Sequence, residues 1–134
     1  MGQDDTKHNL LFISKYPQII HEFTDAMKDR DIEIETAING IGAAAKIKKK
    51  NYDIVITGLS LEGYNGEQII TYLNKTAPST VCIIYTTTIS SAQLHFFINE
   101  RNVFRVFLRP VDFRGAFWEA LEEAYEYHAC LLYT

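Results

Sequence analysis

The chain has 134 residues, a hydrophobic fraction of 47% and a formal net charge of -4. That length fits one domain with a real core, and no apolar run approaches the roughly 20 residues of a membrane helix. The acidic balance, with no dominant basic stripe, argues against direct nucleic-acid binding.

The N-terminal MGQDDTKHN carries no secretory pattern. Met1-Gly2 with Thr6 fits the loose myristoylation pattern, but Asp4 and Asp5 oppose an acidic membrane and no polybasic patch supports an anchor. Asn9 to Ile13 (NLLFI) is a short apolar run that reads as a buried strand. Pro17 opens a helix, where its missing N–H is harmless, with Ile19/Ile20, Phe23 and Ala26/Met27 on one face. Ile32 to Thr36 alternates apolar and acidic, as a strand nearer an edge would.

Asn39-Gly40 marks a turn, and a small-residue helix follows from Ile41 to about Lys50. Its basic run, Lys46 to Lys50, suits a solvated helix C-terminus. Asp53 to Thr57 is the next buried strand, and Glu67 to about Lys75 the next helix, ended by Pro78. Thr80 to Tyr85 (TVCIIY) is buried and β-branched, with Cys82 as a small core hydrophobe. A hydroxyl-rich loop, Thr86 to Ser91, leads to a helix over Ala92 to Arg101, with Leu94, Phe97 and Ile98 able to face the core. Val103 to Leu108 is the last strand, stopped by Arg109-Pro110; Phe113, Ala116/Phe117, Ala120/Leu121 and Ala124 mark a final amphipathic helix.

Strand and helix alternate five times, which implies an α/β domain. A parallel sheet covered on both faces demands continuously apolar strands. With the doubly wound, flavodoxin-like order 2-1-3-4-5, the switch point lies between the first and third strands. Ser14 and Lys15 follow the first strand there, and Gly58 follows the third. Cys82 and Cys130 form no metal or redox spacing, and His8, His21, His95 and His128 are scattered, so no metal or cofactor is expected and the chain reads as cytoplasmic.

Several motifs in order carry a family likeness: NLLFI before Pro17, the turn AING, YDIVI with its loop ending GYNG, IIYTT, and FLRP before the last helix. Over residues 9–128 the chain resembles the receiver domain of bacterial response regulators. The resemblance implies a flexible segment at 1–8, a receiver-like domain at 9–128 and a tail at 129–134. It also implies an aspartate at the end of the third strand that accepts a phosphoryl group, with two acidic residues after the first strand holding magnesium. Counting five positions on from Asp53 reaches Gly58, and the two acidic positions are Ser14 and Lys15. The family's lysine before the proline corresponds to Arg109, and its switch aromatic to Val106; Thr86 keeps the hydroxyl, while Glu62 stands where the loop usually has proline.

Acyl-phosphate chemistry needs a carboxylate nucleophile, and magnesium prefers carboxylate oxygens. The expectation is therefore a degenerate receiver acting without phosphorylation, as a binding or dimerisation module on the face of the fourth helix, fifth strand and fifth helix. Phe96, Trp118 and Tyr125 are the expected outward residues there. Phosphorylation on a hydroxyl (Ser14, Thr57, Ser60 or Thr86) lacks a neighbouring base. The alternative is an anion or small-ligand sensor in which Ser14, Lys15, Thr86 and Arg109 line the cleft, the anion coming from solution or from Glu62 or Asp112. Gly58 then either marks a site that tolerates any small residue or lets an anion or partner backbone approach closely. The final CLLYT also matches the in-frame translation of a common sequencing adapter, so the natural chain is expected either to continue past His128 toward an output domain or to end in a frayed helix.

Overall fold

The structure, a computed structural model, describes residues 8–100 and 102–132. The segment expected to be flexible lies outside them except for His8, which begins the first strand. Arg101, the expected end of the fourth helix, and tail residues 133–134 also lie outside.

Ten elements alternate along the chain. They are β1 (His8–Ile13), α1 (Pro17–Met27), β2 (Ile32–Ala37), α2 (Gly40–Lys49), β3 (Ile54–Thr57), α3 (Gly66–Thr76), β4 (Val81–Thr86), α4 (Ser91–Ile98), β5 (Val103–Leu108) and α5 (Ala116–Leu132). The strands form one parallel sheet in the order β2-β1-β3-β4-β5. The flavodoxin-like (βα)5 expectation holds in every strand.

Local chemistry explains the helix ends. Pro17 supplies the first turn of α1. Asn39 caps α2 by accepting from the Gly42 N–H at 2.7 Å, and Lys46, Lys48 and Lys49 sit in its last turn, where the helix dipole favours cations. Asn65 with Gln68, and Ser90 with Gln93, close reciprocal capping boxes at α3 and α4. α4 stops at Ile98, where Asn99 turns its side-chain amide back onto the His95 carbonyl at 3.0 Å.

The sheet separates two cores. Leu10 and Phe12 point toward α1 and α5, where Phe23, Phe113, Phe117 and Leu121 fill the space. Phe12 stacks on Phe23 at 4.2 Å between ring centres, and Phe113 meets Phe117 edge-on at 5.2 Å. Leu11 and Ile13 point the other way, against Ala43, Ile70, Leu73, Cys82 and Phe97. The central strands are thus buried on both faces, as their unbroken apolar runs require. At the outer edge the register slips by one between Cys82 and Ile83. This bulge sends both Phe104 and Arg105 toward α5, where they meet Tyr127 and Glu123.

Candidate functional site

The C-terminal ends of β1, β3, β4 and β5 open on one small cleft, with a cavity volume of about 40 Å³. Ser14, Lys15, Gly58, Thr86 and Arg109 all line it, beside Tyr16, Leu59, Ser60, Leu61, Tyr85 and Thr87. Parallel pairing of β1 with β3 sets Ile13 beside Thr57, so Ser14 and Gly58 leave the sheet together. Val106 is not part of the cleft. It sits within β5 opposite Ile84 and packs toward the α2–α4 core.

Each polar group has local work. Ser14 is buried; its N–H donates to the Ala37 carbonyl at 3.1 Å and its Oγ accepts from the Tyr16 N–H at 3.2 Å. Lys15 Nζ lies 3.4 Å from Ser60 Oγ. Thr57 Oγ1 donates to the Gly58 carbonyl at 2.8 Å, and Thr86 Oγ1 to the Thr88 carbonyl at 3.2 Å. Among the described residues, none of these hydroxyls is bonded to a histidine or carboxylate that could act as its base.

Arg109 follows β5, its N–H bonded to the Thr86 carbonyl at 2.8 Å and its peptide bond to Pro110 cis. Its guanidinium lies 4.7 Å from the Tyr16 ring centre and 6.0 Å from that of Tyr85. Burial pushes the Tyr85 phenol above its ordinary value, and Arg109 partly opposes that shift. The anion-site expectation has Arg109 paired with an anion from solution or with the carboxylate of Glu62 or Asp112. Among the described residues, two aromatic faces meet the cation. Asp112 Oδ1 accepts from the Arg114 N–H at 3.0 Å, and neither Asp112 nor Glu62 lines the cleft.

Among the described residues no carboxylate lines the cleft. Two cations, Lys15 and Arg109, stand where a magnesium ion would require anionic oxygens. These residues do not fit magnesium, and among the described residues no His, Cys, Asp and Glu cluster could hold a metal.

Gly58 answers a narrower question than its position suggests. A Cβ built on it would meet the Tyr85 carbonyl at 3.7 Å and the Ile13 carbonyl at 4.0 Å, both ordinary contacts. The glycines that permit close approach are neighbours in the fold. A Cβ on Gly40 would collide with the Tyr64 backbone, and one on Gly66 with the Gly58 carbonyl.

The expected interaction residues are displaced from their assigned face. Tyr125 is buried, 8% exposed, because it continues the stripe of Phe117, Leu121 and Ala124; its hydroxyl donates to the Asn9 carbonyl at 2.9 Å. Trp118 is half-buried under the Arg30 guanidinium, 4.2 Å away, on the edge of α5 that faces the α1–β2 turn. Phe96 turns toward α3, where Thr71, Tyr72 and Lys75 share its groove. Gln93, on that same side of α4, donates to Glu67 at 3.2 Å. The opposite side of α4 carries Leu94 and Ile98. They are exposed rather than buried, Ile98 by 71%, and Leu108 on β5 is exposed by 53%. Helical phase around the buried Phe97 decides this, because one helix cannot bury both of its flanks in a single core.

Comparison with known proteins agrees with this architecture. The sequence signature of the Response regulator receiver domain family matches residues 11–115. The chain belongs to that family. No curated protein matches it in sequence. Among solved structures, it is similar to the signal receiver domain of an HD domain-containing protein from Pseudomonas fluorescens Pf-5, with a TM-score of 0.86 and 19% identity over 92% of this chain and 98% of that one. It is similar to a CheY-like receiver domain protein from Methanospirillum hungatei JF-1, with a TM-score of 0.83 and 18% identity over the same shares. It is also similar to TrrA from Thermotoga maritima, solved with magnesium and BeF, with a TM-score of 0.74 and 20% identity over 87% of this chain and 98% of that one. Among the described residues, no helix is long and apolar enough to cross a membrane.

Proposed function

We propose that this chain is a receiver domain that works without phosphorylation, as a protein-interaction or dimerisation module in the cytoplasm, with no catalytic role of its own. The observation that carries the reading is the cleft: Ser14, Lys15, Gly58, Thr86 and Arg109 meet there, and among the described residues no carboxylate lines it to take a phosphoryl group or hold a divalent cation. The fold around that cleft is intact, so what remains for the domain is its surface.

The surface we assign is the α4–β5 side, extended onto α5. Leu94 and Ile98 on α4 and Leu108 on β5 are exposed, and the Arg105–Glu123 pair at 2.9 Å and the Phe104–Tyr127 stack join β5 to α5. An apolar centre with a charged rim is the anatomy of an association surface. Sizing by light scattering, with no phosphodonor present, tests it. The wild-type chain is expected to self-associate or to hold its partner, and Ile98→Glu to abolish that. A monomer that engages no partner, unchanged by Ile98→Glu, would refute the assignment.

A second reading, an anion sensor, draws on Lys15 and Arg109 flanking the Gly58 loop. Phosphate titration followed by the backbone amide signals of residues 58–60 separates the two. Saturable shifts at millimolar phosphate or below support the sensor, and none support the bare scaffold.

A further inference from the structure

The opposite end of the sheet holds a second cluster. His128, about one turn from the end of α5, has a side chain only 13% exposed. Its Nδ1 lies 2.8 Å from the Ser79 carbonyl oxygen, just before β4. Its Nε2 lies 3.2 Å from Oδ1 of Asp53, just before β3. A carbonyl oxygen accepts hydrogen bonds and cannot donate, and an ionised carboxylate is likewise an acceptor. A neutral imidazole has a single N–H. It can satisfy one of these contacts while the other sets two lone pairs face to face. Both contacts are hydrogen bonds when the His128–Asp53 pair holds one proton more than neutral imidazole and carboxylate together.

Asp53 has further partners. Its Oδ2 accepts from the Asn9 N–H at 3.2 Å and lies 3.8 Å from Nδ1 of His8. The Asn9 side chain fixes the same corner, accepting from the Asp53 N–H at 2.6 Å and donating to the Asn51 carbonyl at 2.9 Å. His8 stacks on Tyr125, with ring centres 4.2 Å apart. Among the described residues, the titratable groups facing the pair are His8 from β1 and Tyr125 from the preceding turn of α5. Burial, and then Asp53, raise the Tyr125 phenol, which keeps it neutral and bonded to Asn9 at ordinary pH.

We propose that protonated His128 is a clip fastening the end of α5 to the starts of β3 and β4, and that loss of its proton releases the last turns of that helix. The clip holds at lower pH and opens as pH rises. Tyr125 anchors the turn before it at all these pH values, so release is confined to residues beyond it. The proposal does not depend on the function assigned to the cleft or to the α4–β5 surface.

Amide hydrogen exchange of residues 126–132, expressed as protection over intrinsic rates between about pH 5.5 and about pH 8.5, tests it. Protection in the wild-type chain is expected to fall roughly ten-fold across that range, the scale of a charge-assisted hydrogen bond. His128→Gln and Asp53→Asn are expected to remove the pH dependence, and His8→Gln to leave it. Nitrogen-detected spectra of the His128 ring are expected to show both nitrogens protonated at the acidic end. Equal protection at both ends of the range in the wild-type chain would overturn the clip. So would pH dependence surviving in His128→Gln or vanishing in His8→Gln.

Discussion

The Arg109 guanidinium sits 4.7 Å from the centre of the Tyr16 ring, joining the segment after β5 to the segment after β1 across the cleft. Among the described residues no carboxylate lines that cleft, and a ring face meets the cation there. Tyr16 is itself partly exposed, so solvent weakens the contact. Tyr16→Ala is expected to cost about 0.5–1 kcal/mol in urea denaturation and Tyr16→Phe less, because the face and not the hydroxyl carries the attraction.

Gly58→Asp is expected to fold with a stability change within about 1 kcal/mol, because its Cβ enters ordinary contact distance. Gly40→Ala and Gly66→Ala are expected to cost more than about 2 kcal/mol, since each forces loop backbone to move. Denaturant midpoints of the three variants provide the check. A Gly58→Asp variant less stable than Gly66→Ala would contradict this reading of the loop.

At the outer edge of β2, Lys50 Nζ bridges Glu33 at 2.7 Å and Glu35 at 2.8 Å. The hydrogen bond from Lys50 holds the Glu35 carboxyl below its ordinary value of 4.5, against a smaller opposing effect of burial. A depressed acid stabilises the fold above its unfolded value and loses that contribution as pH falls through its folded value. The acid limb below pH 4.5 is therefore expected to be shallower in Lys50→Met. The effect is small because all three side chains are at least one-third exposed. Stability measured from about pH 3 to about pH 6 provides the check, and identical slopes would contradict it.

The two cysteines should separate cleanly. Cys82 is fully buried and burial pushes its thiol up to about 12, whereas Cys130 lies exposed on α5. Iodoacetamide on the native protein is expected to label Cys130 and spare Cys82 until denaturant is added.

The central strands were legible because LLFI, IVI and VCIIY are continuously apolar, and a doubly covered sheet leaves few other places for such runs. The cleft followed from topology, since the ends of β1, β3, β4 and β5 meet wherever this strand order forms. What the sequence hid was angular. Trp118 and Tyr125 share one side of α5, but whether that side meets β5 or the α1–β2 turn depends on how the helix is rolled on the sheet. Ile98 and Phe96 flank Phe97 symmetrically in sequence; the Gln93–Glu67 bond to α3 marks which flank is covered. Capping boxes at Asn65/Gln68 and Ser90/Gln93 could have fixed two helix starts from sequence spacing alone. The His8–Asp53–His128 cluster had no such signal, because its members meet through the β1–β3 register and the length of α5.

Intact mass spectrometry after incubation with acetyl phosphate and magnesium tests the central claim most directly. Gly58 after β3, and a cleft lined by Lys15 and Arg109 with no carboxylate among the described residues, lead to the expectation of an unmodified mass at every incubation time. A phosphoryl adduct that is lost on brief treatment with hydroxylamine, the behaviour of an acyl phosphate, would contradict the account.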